Sequence, residues 1–195
     1  IAMTPVCEGS DQLLTATSTT AGVTYNWSGP TPLVVNNNEA TIKAATIASN
    51  GSYSVSATLN TCTSKSATVN VAINPMPVVP TIAMTPVCEG SDQLLTATST
   101  TAGVTYNWSG PTPLVVNNDK ATIKAATAAS NGSYSVSATL NTCTSQSAAV
   151  DVAINPMPVV PTIAMTPVCE GSDQLLTATS TTAGVTYNWS GPTPL

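Results

Sequence analysis

The heptapeptide Ile1-Ala2-Met3-Thr4-Pro5-Val6-Cys7 returns at Ile82 and again at Ile163, so the chain is written in units of 81 residues. Solenoid repeats run at about 20 to 50 residues, because each is one supersecondary element leaning on its neighbours. A unit of 81 is long enough to close a small core of its own, and it predicts self-contained domains in tandem. Residues 1–81 and 82–162 differ at six positions: Asn38/Asp119, Glu39/Lys120, Ile47/Ala128, Lys65/Gln146, Thr68/Ala149 and Asn70/Asp151. The third copy, 163–195, stops at Leu195, the equivalent of Leu33 and Leu114, and the chain reads as a window on a longer array. Units 34–114 and 115–195 fit the same arithmetic. The first phase is favoured because Asn74-Pro75-Met76-Pro77-Val78-Val79-Pro80-Thr81 has the character of a linker, its prolines holding the backbone extended and removing donors.

Inside a unit the side chains alternate with period two. Val23, Tyr25 and Trp27 share one face of a strand whose other face carries Thr24, Asn26 and Ser28. Gly51 to Leu59 sets Tyr53, Val55, Ala57 and Leu59 against four hydroxyls, and Ala67 to Ile73 alternates likewise. Weaker strands are expected at Ile1–Met3, Gln12–Ser18, Leu33–Val35 and Ala40–Thr46, bounded by Gly, Pro, Asn and Asp. No segment has helical period. Six or seven short strands with one wet face each predict an all-β, antiparallel sandwich per unit. With no phenylalanine in the chain, the expected aromatic core is Tyr25, Trp27 and Tyr53, and Tyr106, Trp108 and Tyr134 in the second copy.

Composition excludes several functions. Charged residues are 7 % of the chain, the lysine and arginine total is 4, and the net charge is −5, which denies nucleic acid the basic patch it needs. Histidine is absent, so His-based catalysis and His-ligated metal are excluded. No apolar run reaches the roughly 18 residues of a membrane span, and no signal peptide opens the chain, so an export signal is expected outside it.

A domain of this size is marginal on burial alone, which calls for a staple. Cys7 and Cys62 lie 55 residues apart, as do Cys88 and Cys143, while Cys169 has no such mate within the chain. The wide spacing argues against zinc and for disulfides in an oxidising compartment. Closing a loop of that length is worth roughly 4 kcal/mol. Pairing within units and a Cys62–Cys88 bond across the proline linker both remain open on spacing.

Four motifs together resemble the Ig-like or PKD-like repeats of large secreted surface proteins of Bacteroidota, gliding-motility adhesins among them. They are Val6-Cys7-Glu8-Gly9, Tyr25-Asn26-Trp27-Ser28-Gly29, Gly51-Ser52-Tyr53-Ser54-Val55 and Asn60-Thr61-Cys62-Thr63-Ser64. The resemblance implies type IX secretion, a cell-surface location and a stalk of many sandwiches. It favours Cys7–Cys62 and Cys88–Cys143 bonds within units. Val55 stands two residues after Tyr53, where antibody domains carry cysteine, so the bond is expected between loops rather than between sheets.

Other candidates have plainer readings. Glu8 and Asp11 could begin a calcium site or an acid/base pair, but the loop has too few oxygens for calcium, and they read as a solvated turn. Asn26, Asn50, Asn107, Asn131 and Asn188 sit in glycosylation sequons that a chain rich in Asn, Ser and Thr produces by chance. Trp27, Trp108 and Trp189 could stack on sugars, yet their parity assigns them inward. Lys43 and Lys124 could enter isopeptide bonds, yet theirs points outward. The run from Thr15 to Thr19 reads as a wet strand face. The sequence therefore predicts a non-enzymatic shaft segment with no cofactor. Its partners are further repeats of the same chain, other copies in a fibre, and a surface or polysaccharide ligand at a distal tip. The rival is a multivalent carbohydrate- or surface-binding array gaining avidity from weak sites.

Overall fold

The computed structural model describes residues 1–192; the end of the third copy, with Leu195, lies outside the described residues. The first copy contains β1 (Gln12–Thr15), β2 (Thr24–Ser28), β3 (Val34–Asn36), β4 (Glu39–Ile42), β5 (Gly51–Leu59), β6 (Cys62–Thr63) and β7 (Ala67–Val71). One sheet runs β1-β4-β3, extended by a bridge from Ala2 to Thr15, and the other runs β2-β5-β6 with β7 also on β5. Every strand pairing is antiparallel. The second copy repeats the design with β8 (Thr81–Met84), β9 (Gln93–Thr98), β10 (Thr105–Ser109), β11 (Val115–Asn117), β12 (Lys120–Ile123), β13 (Gly132–Leu140), β14 (Cys143–Thr144) and β15 (Ala148–Val152). Its sheets are β11-β12-β9-β8 and β10-β13-β14, with β15 on β13. In the third copy β16 (Thr162–Met165) pairs with β17 (Leu176–Thr179). This is the expected all-β architecture, in two tandem Ig-like sandwiches.

Alternation decides which side chains enter the core. In β1, Gln12 and Leu14 face inward and Leu13 outward; in β4, Ala40 and Ile42 face inward. The register sets Leu14 opposite Ala40 and Gln12 opposite Ile42. Buried Gln12 is a polar intruder the pattern does not announce. Its Nε2 donates to the carbonyls of Thr4 (3.0 Å) and Leu13 (2.9 Å), tying the first segment to β1, and Gln93 does the same in the second copy.

Tyr53 organises the other sheet. It is fully buried, and its hydroxyl donates to the carbonyl of Ser49 at 2.9 Å while pairing with the Thr31 hydroxyl at 2.6 Å. Ser49 ends the 3-10 turn Ile47–Ser49 just before β5. A tyrosine at the start of this strand, bonded to backbone a few residues upstream, is the corner found in many sandwiches of this class. Tyr134 repeats it with Ser130 and Thr112. The ring leaves no room beside it, for a Cβ on Gly29 would overlap Tyr53 Cδ1 and Cε1.

The expected aromatic core needs correction at β2 and β10. Tyr53 and Tyr134 are fully buried, but Trp27 and Trp108 are half-buried against the margin of each core. Tyr25 and Tyr106 are half-buried as well and are not among the residues packed on either core. The cause is position. β2 and β10 are edge strands, so the parity of their side chains is right while the sheet opposite covers them incompletely. Trp27 uses its exposed rim to donate from Nε1 to the Asn37 carbonyl at 3.2 Å.

Tyr53→Phe, which strips the Ser49 carbonyl of a buried donor, is expected to cost about 1–3 kcal/mol. Gly29→Ala is expected to cost about as much through overpacking. Urea unfolding of the full chain measures both, and a loss below roughly 0.5 kcal/mol for either would remove Tyr53 as the organiser of its sheet.

Candidate functional site

The strand path of one sandwich places its two cysteines at opposite poles. Cys7 follows the first extended segment, where a turn is clamped to the chain leaving β7: Asn74 N–H donates to Val6 O (3.0 Å) and Glu8 N–H to Asn74 O (2.8 Å). Gly9, at φ +86°, lets the turn bring its own N–H to the Ala45 carbonyl at 2.8 Å. Cys62 lies at the far end of β5, opposite Leu59 across a two-residue turn. Asn60 and Thr61 both have positive φ, 44° and 70°, the arrangement of a type I′ hairpin turn. β5 pairs Gly51 with Val71, near the Cys7 turn, and Leu59 with Cys62. Eight residue steps at 3.3 Å separate those levels by about 26 Å, whereas a disulfide needs Cα atoms about 4.4–6.8 Å apart.

The expected bonds within units are therefore replaced by one between them. Cys7 of the first copy is bonded to Cys143, the hairpin cysteine of the second, with Cα atoms 5.6 Å apart and a sequence separation of 136. Cys62 and Cys88, expected in bridges, are exposed free thiols, as is Cys169. The alternative Cys62–Cys88 bond is not formed either.

Equivalent residues show what this junction covers. Val104, Ala138, Cys143 and Ser145 are buried at the hairpin pole of the second sandwich. Their counterparts Val23 and Ala57 are half-buried, and Cys62 and Ser64 are exposed, at the same pole of the first. On the other side, Pro77 and Pro80 are buried, while Pro158 and Pro161 are exposed. The proline segment is more than a stiff spacer. Val78 N–H donates to Thr101 Oγ1 and Ser99 Oγ donates to Val78 O, both at 2.9 Å. The segment is thus fastened to the β9–β10 loop of the sandwich that follows it. Val159 makes the same pair of bonds with Thr182 and Ser180.

The remaining candidates are engaged locally. Asp11 accepts from Lys43 Nζ at 2.7 Å and from the Ala44 N–H at 2.9 Å, and Ala44 itself has a φ of +43°. The hydrogen bond from Lys43, then that from Ala44, holds the Asp11 carboxyl below its ordinary value. Asp92, Lys124 and Ala125 reproduce the arrangement. Both oxygens serve the turn after β4, and no group of three or more His, Cys, Asp or Glu residues able to hold a metal occurs among the described residues. Asn26 Nδ2 donates to Thr58 Oγ1 at 3.0 Å. Asn50 Oδ1 accepts from Ile73 N–H at 2.7 Å, fastening the start of β5 to the chain leaving β7. Among the described residues, no helix is long and apolar enough to cross a membrane.

A carboxyl with a lowered folded pKa adds stability above its unfolded pKa and loses it as pH falls through the folded value. The chain is expected to lose stability on acidification below the ordinary aspartate pKa of 3.8, and Asp11→Asn with Asp92→Asn to flatten that slope. Thermal unfolding from pH 5 to pH 2 reads it; an unchanged slope in the double variant would deny the two carboxylates this role.

Among solved structures, the chain is similar to one chain of the crystal structure of a mouse coronavirus receptor-binding domain complexed with its murine receptor, at 16 % identity over 78 % of this chain and 98 % of that one, TM-score 0.49. It is also similar to murine CEACAM1b, at 16 % identity over 77 % and 96 %, TM-score 0.45. A third is Down Syndrome Cell Adhesion Molecule, N-terminal eight Ig domains, at 14 % identity over 80 % and 24 %, TM-score 0.44. No curated protein matches the chain. The model of the CHU_C-associated Ig-like domain matches residues 1–75 and again residues 77–156. With two matches spanning most of its length, the chain belongs to the family of CHU_C-associated Ig-like domains.

Proposed function

We propose that the chain is a load-bearing shaft segment of a repetitive, secreted surface protein, its modules being 1–81 and 82–162, with 163–195 opening a third. The observation that carries this reading is the covalent bond between consecutive sandwiches, Cys7 to Cys143. When tension is applied along the chain, force enters at Cys7, crosses to Cys143 and leaves toward the third copy. The 136-residue separation between those cysteines is bypassed. Closing so long a loop adds about 5 kcal/mol in the chain-entropy model, shared by both sandwiches. The segment from Pro75 to Pro80, fastened to the following sandwich, fixes how one module follows another. An oxidised exterior is the setting such a bond requires, and attachment or gliding at a cell surface is the setting in which a shaft of this kind serves.

The rival reading, a multivalent binder, has an observation of its own. A groove of about 300 Å³ beside β1, lined by Met3, Val6 and Leu13 among others, recurs beside β9 at about 380 Å³. Both are shallow and their lining holds one carboxylate each, Asp11 or Asp92, already paired with lysine.

Pulling single molecules by their two ends separates the readings. Reduction, or Cys7→Ser, is expected to lengthen the fully extended chain by roughly 450–490 Å, the contour of the bypassed residues. An unchanged length would show that the bond carries no load. On a glycan array at high density the shaft predicts no ligand, and a reproducible hit abolished by filling the groove at Leu13 would favour the binder instead.

A further inference from the structure

Each half of the Cys7–Cys143 junction exists a second time in this chain without its mate. Cys88 occupies the same turn as Cys7: Asn155 N–H donates to Val87 O at 3.0 Å, Glu89 N–H to Asn155 O at 2.8 Å, and Gly90 N–H to Ala126 O at 2.8 Å, each matching its counterpart in the first copy. Cys62 occupies the same hairpin as Cys143. The turn angles agree, 44° and 70° for Asn60 and Thr61 against 48° and 70° for Asn141 and Thr142. The Thr58–Thr63 hydroxyl pair (2.9 Å) is likewise repeated by Thr139 and Thr144 (2.8 Å). Both spare thiols are exposed. Around Cys62, the surface made of Val23, Ala57 and Ser64 is open where its equivalent is covered at the junction. The segment after the second sandwich is also set as the first one is, with Val159 bonded to Ser180 and Thr182.

We propose that Cys88 is the acceptor of the hairpin cysteine of a complete third repeat, so that the bond from one module's first turn to the next module's hairpin recurs at every junction. The bonds then form overlapping loops, since Cys88 lies inside the loop closed by Cys7 and Cys143. Cys62 is the corresponding donor toward a preceding module. Forming each bond removes two electrons and two protons from two thiols. A small disulfide such as oxidised glutathione takes them up and leaves as two thiols, by exchange through a mixed disulfide. The inference rests on junction geometry alone, so a glycan-binding array bonded in this way would sink the shaft reading and leave this one standing.

The test is the full chain lengthened at its C-terminus by a copy of its own residues 115–162, which completes the third repeat and supplies its hairpin cysteine. After refolding in a glutathione redox buffer, non-reducing peptide mapping is expected to give two bonds in a monomer, Cys7 to Cys143 and Cys88 to the added cysteine. Cys62 and Cys169 then remain as the thiols that react with maleimide. A second variant of the lengthened chain carries Cys7→Ser and Cys143→Ser, and retains the single bond at Cys88. Cys88 recovered as a free thiol in both variants, bonded to Cys62 or Cys169, or bonded to another chain overturns the proposal.

Discussion

Everything at the junction depends on one directional constraint: in each sandwich the chain passes Cys7 at one pole and Cys62 at the other, with the length of β5 between them. Strands are too stiff to bring those poles together. A disulfide formed by either cysteine must therefore reach outside its own module, and the module next along the chain presents the complementary pole. The buried set of Val104, Ala138, Cys143 and Ser145 follows from that meeting. The fastening of the proline segment is independent of that meeting, for Val159 makes the same pair of bonds as Val78 where no second pair of poles is joined.

Within a module, stability comes from concentration rather than size. The first core gathers Leu14, Ala40, Ile42, Ala45, Tyr53, Val71 and Ile73, a small set for a sandwich. Polar side chains do the fastening that bulk apolar ones do elsewhere. Gln12 holds the first segment to β1, Asn50 holds the chain after β7 to the start of β5, and Tyr53 joins Ser49 to Thr31. On the wet face, Asn26, Thr58 and Thr63 form a hydroxyl and amide ladder across three strands. Such a face is well hydrated without charge, in keeping with a surface that carries few ions.

The strands were legible because period-two alternation is a local signal. Tyr53 and Val55 are buried as their parity demands, and the substitutions at Thr68 and Asn70 fall on exposed positions of β7. Parity cannot report how far the opposite sheet extends, and so it turns Tyr25 and Trp27 inward on a strand that proves to be an edge. A polar residue in an inward slot, such as Gln12, is justified only by its partners, and one of its two, the Thr4 carbonyl, lies eight residues away. The cysteine pairing departs from expectation for a different reason. Spacing leaves the pairing open and the resemblance favours bonds within units, whereas the strand reversals between Cys7 and Cys62 set those two at opposite poles.

The register of the Cys7–Cys143 bond has a genetic consequence. It joins a residue of one copy to a residue of the copy immediately following, and the two copies are nearly the same in sequence. If one whole unit is lost or gained by exchange between such copies, the neighbours that become adjacent present the same turn and the same hairpin to each other. Where that bond recurs at each junction, as proposed, bonding by nearest neighbour is indifferent to how many units there are, and a change of whole units leaves no sulfur stranded between two modules.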